Sequence, residues 1–465
     1  MHRVFMVLFR RVAALMLLAA ALVPSAASTG FAQGGAFAQG AAIAATAPAK
    51  DAVPEAVTDA RDAVAGAAGN PVKDDATKAK AQSAVAVDVR FAGDLARSRM
   101  ILDLSTKVEM RVFTLADPYR VVVDIPGLEF RLPSEGGRDG RGLITDFRYG
   151  NVSPGKARIV LEVREPVAVD KAFVLEAIDD QPARLVVDLV RTDRATFLRS
   201  AETQTPARAE AAALAVKPEP VPPGAKGQLP VVVIDPGHGG IDSGAAARGS
   251  GETEKTIVLD VALMLRERLE AGGRVRVVMT RTEDVFVPLG ERVRIARRSE
   301  AVLFLSIHAD SLRVRDGLAS GASVYTLSEK ASDAEAERLA ESENKADLIA
   351  GVDLGEEPAD VADILIDLVQ RETKSFSIHF ARTLVKELRP TARMHRTPLK
   401  SAGFKVLKAP DVPSVLLELG FLSNREELRQ ITSQAWRTKV TRAIAEGIEE
   451  FVATRTMDES VRAPQ

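Results

Sequence analysis

The stretch VVVIDPGHGG, from Val231 to Gly240, decides the fold of the second half of this chain. Four β-branched residues end abruptly in Asp-Pro-Gly, and His238 follows them. A β-branched run that is bounded by Pro and Gly predicts a short buried strand. The side chain after such a strand lies at the mouth of a sheet, where α/β proteins bind their ligands. Taken alone, His238 could hold a metal, transfer protons or pack in the core.

Around this stretch, residues 230–456 alternate between strand and helix patterns. Residues 254–273 predict a helix that ends at a Gly-Gly stop. Its apolar face comprises Ile257, Val258, Val261, Leu265 and Leu269. Further strands are predicted in VRVVMT, AVLFLSIHAD, ASVYTL and SVLLELGF, and further helices in LGERVRIARRSE and around 437–453. This alternation predicts an α/β domain with a mostly parallel sheet covered by helices on both faces.

Residues 84–200 follow a different pattern. About seven short segments alternate apolar and polar residues and are separated by Gly, Pro or Asp. Such segments, without a helical pattern, predict an all-β, antiparallel sandwich. An Ala-rich stretch at 33–83 and a Pro-rich stretch at 201–229 are predicted to be linkers.

The first 32 residues have the features of an export signal. Arg3, Arg10 and Arg11 precede the apolar run VAALMLLAAALV, which is too short to span a bilayer comfortably, and small residues follow. We therefore predict a signal peptide over 1–32, a periplasmic location and no stable membrane insertion after cleavage. The Arg10-Arg11 pair leaves the twin-arginine (Tat) and Sec routes both open, and an uncleaved anchor is the alternative.

The composition narrows the chemistry that the chain can perform. Its 465 residues carry a formal net charge of −2, which gives no indication of nucleic-acid binding. Cysteine is absent, so disulfides, thiolate metal sites and a cysteine nucleophile are excluded. Any metal must be held by carboxylates and by the five histidines, at positions 2, 238, 308, 379 and 395. Nothing in the sequence indicates more than a monomer.

Three of four candidate site residues fall at one predicted edge of the sheet, and the fourth begins the connecting helix, which could return to that edge. His238 follows the first strand of the α/β region, Glu254 opens its first helix, His308 ends SIH, and Glu418 lies near the end of SVLLELGF. Two imidazoles and a carboxylate match the ligand set of a catalytic zinc. A carboxylate in an otherwise apolar strand is costly unless it is paired or functional, which makes Glu418 the candidate for proton transfer. The alternative is that each residue is structural, with Glu254 only complementing its helix dipole.

The segments that carry these residues resemble the motif series of a known family. They are IDPGHGGIDSGA, EKTIVLDVA, SIHADS and VPSVLLELGFLSN, in this order between residue 231 and about 452. They look like the zinc-dependent N-acetylmuramoyl-L-alanine amidases of the amidase-3 family. The resemblance implies a sheet of about six strands with flanking helices. It also implies Zn²⁺ on His238, Glu254 and His308, Glu418 as the catalytic residue, and peptidoglycan as the substrate.

The N-terminal β region resembles the AMIN domain, which precedes the catalytic domain in many exported cell-wall amidases. The resemblance rests on RMILDLS…VFTLADPYRVVVDIPG, with matching residues Phe113, Pro118, Tyr119, Arg120, Val122 and Asp124. It implies a module that binds peptidoglycan or localises the protein to the division septum. The alternative is that these residues only fill a sandwich core and cap a turn, so no binding residue is assigned.

About a hundred residues separate SIHADS from VPSVLLELGF, which is more than one strand and one helix need. The acidic, helical insertion at about 329–375 contains ESENKADL, which resembles the insertion of the cell-separation amidases of diderm bacteria. This resemblance implies an inserted helix that plugs the active site, with a glutamate on the zinc, until a LytM-type activator displaces it. Glu343 is the predicted plugging ligand and Glu341 the second choice, and the alternative places both on a solvated helix face. Residues 351–368 could supply the surface that faces the activator.

Two histidines remain outside these motifs. His379 lies in a helical pattern and is predicted to be a core or surface residue. His395 precedes a segment that the family places near the rim of the active site, where it could contact the anionic wall polymer or lie in a solvated basic loop.

Three functions stay open at this point. The first is an autoinhibited zinc amidase that splits the septal wall for daughter-cell separation. The second is a non-catalytic, peptidoglycan-binding divisome scaffold. The third is a zinc hydrolase of another wall amide. An intact Glu418 favours an enzyme over a scaffold.

Overall fold

The computed structural model describes residues 83–132, 140–203, 229–247, 251–311, 320–352 and 364–462. The predicted signal peptide and most of both predicted linkers lie outside the described residues. Within these ranges, no helix is both long enough and apolar enough to cross a membrane.

The N-terminal region is a β-sandwich, as its alternating pattern predicts. Its strands are β1 (Ala84–Gly93), β2 (Arg97–Leu104), β3 (Arg111–Leu115), β4 (Arg120–Pro126), β5 (Leu128–Phe130), β6 (Ile144–Ser153), β7 (Lys156–Val163), β8 (Val167–Leu175) and β9 (Ala183–Arg191). One sheet has the order β5-β1-β2-β9-β8 and the other the order β3-β4-β7-β6. The pairings are antiparallel except for β1 with β5. Alternate residues of the strands, such as Leu102, Val121 and Val123, fill the core between the sheets.

A helix that the sequence did not predict closes the sandwich. Helix α1 (Arg194–Thr203) follows β9, and Asp193 caps its start by accepting a hydrogen bond of 2.9 Å from the N–H of Thr196. The buried ring of Phe197 packs edge-on against Tyr119, with 4.9 Å between ring centroids. Ten residues with one large apolar anchor give too little periodicity for sequence analysis to detect.

The second region is an α/β domain built on a six-stranded sheet. Its strands are β10 (Val231–Pro236), β11 (Arg276–Met279), β12 (Leu303–His308), β13 (Ala322–Leu327), β14 (Met394–Ala402) and β15 (Ser414–Glu418). Their order is β11-β10-β12-β15-β13-β14. All neighbours are parallel except β13 and β15. The predicted mostly parallel fold is confirmed.

Helices cover both faces of this sheet. They are α2 (Glu254–Gly272), α3 (Leu289–Arg298), α4 (Ala334–Glu343), α5 (Ala346–Ile349), α6 (Ile364–Leu388), α7 (Arg425–Ile431) and α8 (Gln434–Arg462). The predicted apolar face of α2 is fully buried, and the helix ends at Gly273 with φ 63°, a left-handed conformation that suits glycine. Residues of α2, α6 and α8 share one apolar cluster with the sheet, and α3 and α4 contribute to a second one.

Strand β14 is a strand that sequence analysis missed. Both interpretations of His395, as a wall contact and as part of a solvated loop, are wrong because its side chain is 4% exposed within this strand. Its Nδ1 accepts a hydrogen bond of 3.1 Å from the N–H of Thr397. Basic residues and Pro398 conceal the strand pattern in MHRTPLKSA. His379 lies on an exposed position of α6, with its ring centroid 6.2 Å from that of Phe451.

The described part of the insertion forms α4, α5 and the start of α6. Helix α4 is held to the sheet at its beginning, where the buried Lys400 Nζ lies 2.7 Å from Glu335 Oε1. Just past its end, Asn344 Nδ2 donates a hydrogen bond of 2.9 Å to the carbonyl of Gly403. Most of the segment predicted to face the activator, residues 353–363, lies outside the described residues.

Candidate metal centre

Three predicted site residues meet at the carboxyl edge of the sheet. His238 follows β10, His308 ends β12, and Glu254 begins α2. One ligand atom from each of them lies within 4.8 Å of the other two. Glu254 Oε1 is 3.2 Å from His238 Nε2 and 3.1 Å from His308 Nδ1. These atoms could hold one metal ion.

Glu343, the last residue of α4, reaches the same point. Its Oε2 lies 3.4 Å from His238 Nε2 and 3.4 Å from His308 Nδ1, and the residue is 8% exposed. Glu341 is exposed instead and lines a neighbouring cavity of about 300 Å³. Of the two glutamates, the structure brings Glu343 to the histidines and leaves Glu341 outside.

The backbone around His238 is strained, and two glycines make room for the site. His238 has φ 57°, in the left-handed region that non-glycine residues adopt at a cost, usually at functional sites. A Cβ on Gly237 would lie 2.3 Å from His308 Cε1, and one on Gly244 would lie 2.6 Å from Glu254 Oε2. Side chains at these two positions would displace the histidine and the glutamate. Gly237 and Gly244 of the IDPGHGGIDSGA motif are therefore required because His308 and Glu254 lie too close for a side chain at these positions.

Asp242 orients His238, although sequence analysis did not single it out. Its Oδ2 lies 2.9 Å from His238 Nδ1, and its Oδ1 accepts a hydrogen bond of 3.2 Å from the N–H of Gly244. A carboxylate on one ring nitrogen selects the tautomer that leaves the other nitrogen free to bind a metal. The signal was present in the sequence, as an Asp four residues after the His in the same motif.

A buried ion pair holds the loop that carries His238. Asp235 Oδ1 lies 2.7 Å from Arg292 Nη1, and Arg292 Nη2 donates a hydrogen bond of 2.8 Å to the carbonyl of His238. Thr280 and Ser306 donate further hydrogen bonds to Asp235, of 2.6 and 2.7 Å. Burial alone would raise the pKa of Asp235, but Arg292 and the two hydroxyls outweigh it and lower that pKa. The ion pair between Asp235 and Arg292 thus fixes the backbone of the loop that carries His238.

Glu418 lies beside His308, its register partner on the adjacent parallel strand. It is completely buried, and its Oε2 accepts a hydrogen bond of 3.1 Å from the N–H of Asp310. Its Oε1 has no hydrogen-bond partner among the described residues. Burial raises the pKa of Glu418 well above its usual range, and the nearby charges of Glu254, Asp310 and Glu343 raise it further. A carboxyl group whose pKa is raised in this way is suited to accept a proton and return it.

The pKa values of His238, Glu254 and Glu343 are shifted because several carboxylates lie around two imidazoles. Burial lowers the pKa of His238, but Asp242, Glu254 and Glu343 outweigh it and raise that pKa well above its usual value. Burial acts to raise the pKa of Glu254, but His238 and His308 hold it well below its usual range. For Glu343, burial prevails over the same two imidazoles and raises the pKa to about 7. A cation at this point would stabilise the carboxylates of Glu254 and Glu343 and would take the place of the proton on His238.

Comparison with known families supports both halves of the architecture. Residues 232–450 match the amidase-3 family of N-acetylmuramoyl-L-alanine amidases, and residues 88–189 match the AMIN domain. An α/β domain of this kind behind an AMIN domain defines a peptidoglycan hydrolase.

Similar proteins indicate which kind of peptidoglycan hydrolase this is. The N-acetylmuramoyl-L-alanine amidase AmiC of Escherichia coli O6:H1 is 34% identical over 77% of this chain and 87% of its own length. AmiC of Neisseria meningitidis serogroup B is also 34% identical, over 77% of this chain and 88% of its own length. The catalytic domain of the amidase CwlV from Bacillus (Paenibacillus) polymyxa aligns with a TM-score of 0.36 at 28% identity, over 48% of this chain and 99% of that domain. The chain belongs to the N-acetylmuramoyl-L-alanine amidase family and is an enzyme of that activity with an N-terminal AMIN domain.

Proposed function

We propose that this amidase cleaves the bond between N-acetylmuramic acid and the L-alanine of the stem peptide at a zinc ion held by His238, Glu254 and His308. In this proposal Glu418 is the catalytic carboxylate and Glu343 the autoinhibitory ligand. The observation that carries the proposal is the convergence of the three donor atoms beside a fully buried acid. Two imidazoles and one carboxylate are donors that catalytic zinc sites use.

The spacing of the donor atoms supports a four-coordinate ion. Ligands at zinc distances in a tetrahedron are separated by about 3.4 Å. The four separations that join Glu254 Oε1 and Glu343 Oε2 to the two ring nitrogens lie between 3.1 and 3.4 Å. His238 Nε2 is a buried atom without a hydrogen-bond partner among the described residues, which leaves it available as a ligand.

The residues of the chain then divide the hydrolysis between them. Zinc in this position would acidify a water and polarise the scissile carbonyl. Glu418 accepts the proton that the attacking water loses and returns it to the nitrogen of L-alanine as the C–N bond breaks. Asp310 fixes one oxygen of Glu418 through its N–H, so Oε1 is the atom that exchanges the proton. Asp242 keeps the Nε2 of His238 directed at the ion.

Autoinhibition follows from the position of Glu343. Its Oε2 lies 3.4 Å from His238 Nε2 and 3.4 Å from His308 Nδ1, so it would take the position that a catalytic zinc keeps open for water. Helix α4 must move before a substrate carbonyl and a water can enter. A LytM-type activator is the partner that we propose to displace it, as the resemblance of ESENKADL to the insertion of the cell-separation amidases implies.

The biological setting belongs to the same proposal. The amidase would be a monomer that is exported to the periplasm by residues 1–32, by the Tat or the Sec route, and would act at the division septum in daughter-cell separation. The AMIN domain would bind peptidoglycan or target the septum. The likeness of the chain to two AmiC amidases over about three quarters of its length supports this setting.

Mass spectrometry of the products released from purified peptidoglycan sacculi tests the proposed chemistry. The zinc-loaded chain is expected to release stem peptides that begin with L-alanine, slowly in the wild type because Glu343 blocks the site and faster in Glu343→Lys. Glu418→Gln is expected to lower this release by at least about 100-fold in either background while zinc still binds. No release by any zinc-loaded form would favour a non-catalytic divisome scaffold. Release of other fragments would favour a zinc hydrolase of another wall amide.

A matched pair of charge reversals tests the autoinhibition. Glu343→Lys places a cation next to the zinc site and should expel α4, which raises the rate of stem-peptide release. Glu341→Lys makes the same substitution at an exposed position on the same helix and should leave the rate unchanged. Equal rates for the two variants and the wild type would remove Glu343 from the proposal and leave the amidase chemistry intact.

A further inference from the structure

The four-stranded sheet of the AMIN domain faces the amidase domain. Four apolar side chains on this face are 2% exposed or less: Phe113, Leu115, Val122 and Val160. They belong to the same apolar cluster as Ala346 and Ala350 of the insertion. The alternate residues Val121 and Val123 belong to the sandwich core instead. One side of the sheet thus builds the AMIN core and the other side packs on the insertion.

Two buried arginines of this sheet bind the end of α5. Arg120 Nη1 donates a hydrogen bond to the carbonyl of Leu348, and Arg158 Nη1 donates bonds of 3.0 and 3.1 Å to the carbonyls of residues 350 and 351. Asp124 fixes the Arg158 guanidinium through bonds of 2.6 and 3.0 Å. These bonds join α5 and the two residues after it to the AMIN sheet, and the charge of the guanidinium groups strengthens them.

The apolar contact is equally close. Gly351 has φ 65°, and a Cβ built on it would lie 3.2 Å from a methyl carbon of Val122 and 3.2 Å from one of Val160. The backbone of the insertion therefore rests directly on the AMIN sheet. A side chain larger than glycine at this position would push the two surfaces apart.

The same sheet also contacts the loop that carries His238. The N–H of Phe286 donates a hydrogen bond of 3.2 Å to the carbonyl of Asn151 on β6. A Cβ on Gly240, two residues after His238, would lie 1.7 Å from that carbonyl oxygen. The AMIN domain thus touches both parts that Glu343 bridges, the histidine loop on one side and the insertion on the other.

Only residues 344 and 345 separate Glu343 at the end of α4 from α5. Asp347 in α5 is itself held, because its Oδ1 accepts a hydrogen bond of 2.9 Å from the N–H of Leu289. With α5 fixed, the chain between Glu343 and Ala346 limits the displacement of Glu343 to about 10 Å. A displacement of α4 and α5 together as one body would break the contacts between α5 and the AMIN sheet.

We infer that the AMIN domain has a second function, as a cis inhibitor that clamps the insertion in its plugging position. This inference rests on the proposed inhibition by Glu343. The clamp consists of Phe113, Leu115, Arg120, Val122, Arg158 and Val160. A partner that frees the active site has to release this clamp as well as Glu343.

The first test places a charge inside the clamp of the full-length chain. Val160→Lys should raise the basal release of dye from labelled sacculi about fivefold or more, the lower end of the range for two coupled sites. The amides of residues 346–352 should exchange hydrogen faster by a similar factor. Val87→Lys is the matched control, because Val87 lies on an exposed position of β1, in the other sheet, with 44% exposure. It should change neither quantity.

The second test approaches the clamp from the insertion and replaces the first if Val160→Lys does not fold. Gly351→Val adds methyl groups that collide with Val122 and Val160. Gly127→Val is its control, since Gly127 has the same φ of 65° but an added Cβ would meet nothing within 4 Å. The two positions share the same left-handed φ, so loss of the clamp is the difference that should separate the rates of the two variants.

The outcomes distinguish the inference from the proposal on which it rests. If Glu343→Lys activates the enzyme and the clamp variants do not, the clamp is refuted and the autoinhibition stands. If neither activates it, the proposed autoinhibition fails and the clamp fails with it. The double variant Val160→Lys with Glu343→Lys should be no faster than Glu343→Lys alone. A further increase would show that the AMIN domain acts by another route and would overturn the inference.

Discussion

Asp242 offers a direct test of the proposed metal site, because one of its carboxylate oxygens contacts the ring of His238. Its Oδ2 lies 2.9 Å from His238 Nδ1, on the side of the ring away from the ligand atom. Asp242→Asn keeps the size of the side chain and removes its negative charge. It also allows the amide to present a donor to the ring nitrogen, which would favour the wrong tautomer of His238.

The expected loss of zinc affinity can be set from this contact. Removing such a partner of a metal-bound histidine costs about 10- to 100-fold in metal affinity. At about 1.4 kcal/mol per factor of ten, this equals about 1.4 to 2.8 kcal/mol of binding free energy. The loss should not be larger, because His308 and Glu254 retain their positions. At saturating zinc the variant should recover most of its amidase rate.

Competition with a chromophoric chelator measures the affinity, and Asp260→Asn is the control. Asp260 also lies in the α/β domain and pairs with an arginine, Arg437, but its side chain is 48% exposed and it does not touch His238. An affinity within twofold of the wild type for Asp242→Asn would refute the role of His238 as a ligand oriented by Asp242. An equal loss in the control would show that the effect is not specific to the site.

Three further predictions follow from the buried charges. Glu418→Gln should lower the rate of stem-peptide release by at least about 100-fold, the usual contribution of a general acid–base group, while zinc content measured by atomic absorption stays unchanged. Arg292→Met should lower the free energy of unfolding by about 3 to 5 kcal/mol in urea titrations, because it leaves Asp235 buried and unpaired; a loss below about 1 kcal/mol would mean that the pair is dispensable. Because the pKa of Asp235 is lower in the folded chain than its ordinary value, its contribution to stability is complete above that ordinary value and is lost as the pH falls through the lowered one. Unfolding midpoints measured between pH 7 and acid should therefore fall less steeply in Asp235→Asn, and identical slopes would contradict this assignment.

The sheet of the amidase domain could be predicted because its strands are short, apolar and bounded by turn residues. The run that ends at Pro236 and the one that ends at His308 are buried on both faces, which leaves an unbroken aliphatic signal. Parallel pairing then brings their carboxyl ends to one edge, so His238, His308 and Glu418 could be expected near each other. Strand β14 has an irregular burial pattern and contains Pro and basic residues, so its sequence does not show a strand pattern.

Other features depend on partners that are remote in sequence. Phe113 and Val122 are apolar strand residues, as sandwich-core residues are, yet they pack on the amidase domain. Period-two alternation tells which residues share a face and does not tell what covers that face. The sequence also does not show that Arg292 is buried. A basic residue on a helix is usually exposed, but Arg292 is 2% exposed and pairs with Asp235. The choice between Glu343 and Glu341 rested on resemblance, because both are acidic residues of the same helix; the structure brings Glu343 near the histidines.

The excess of negative charge at the site predicts that the folded chain is less stable when zinc is removed. Four carboxyl groups are buried around two imidazoles, those of Asp242, Glu254, Glu343 and Glu418. Buried charges of one sign are costly unless a cation compensates them. A ligand that binds only the folded chain stabilises it by about 4 kcal/mol at a thousand times its dissociation constant, so a chelator should lower the melting temperature of the wild type by several degrees.

Glu343→Lys separates this charge effect from a general loss of structure. In the absence of zinc, the lysine ammonium can lie near Glu254 and the two imidazoles and replace part of the missing positive charge. We therefore expect the chelator to lower the melting temperature of Glu343→Lys less than that of the wild type, whereas Glu341→Lys should behave as the wild type does. If the chelator destabilises all three forms equally, the metal is not compensating the charge of Glu343. The insertion would then be held at the histidines by its contacts with the sheet and the AMIN domain alone.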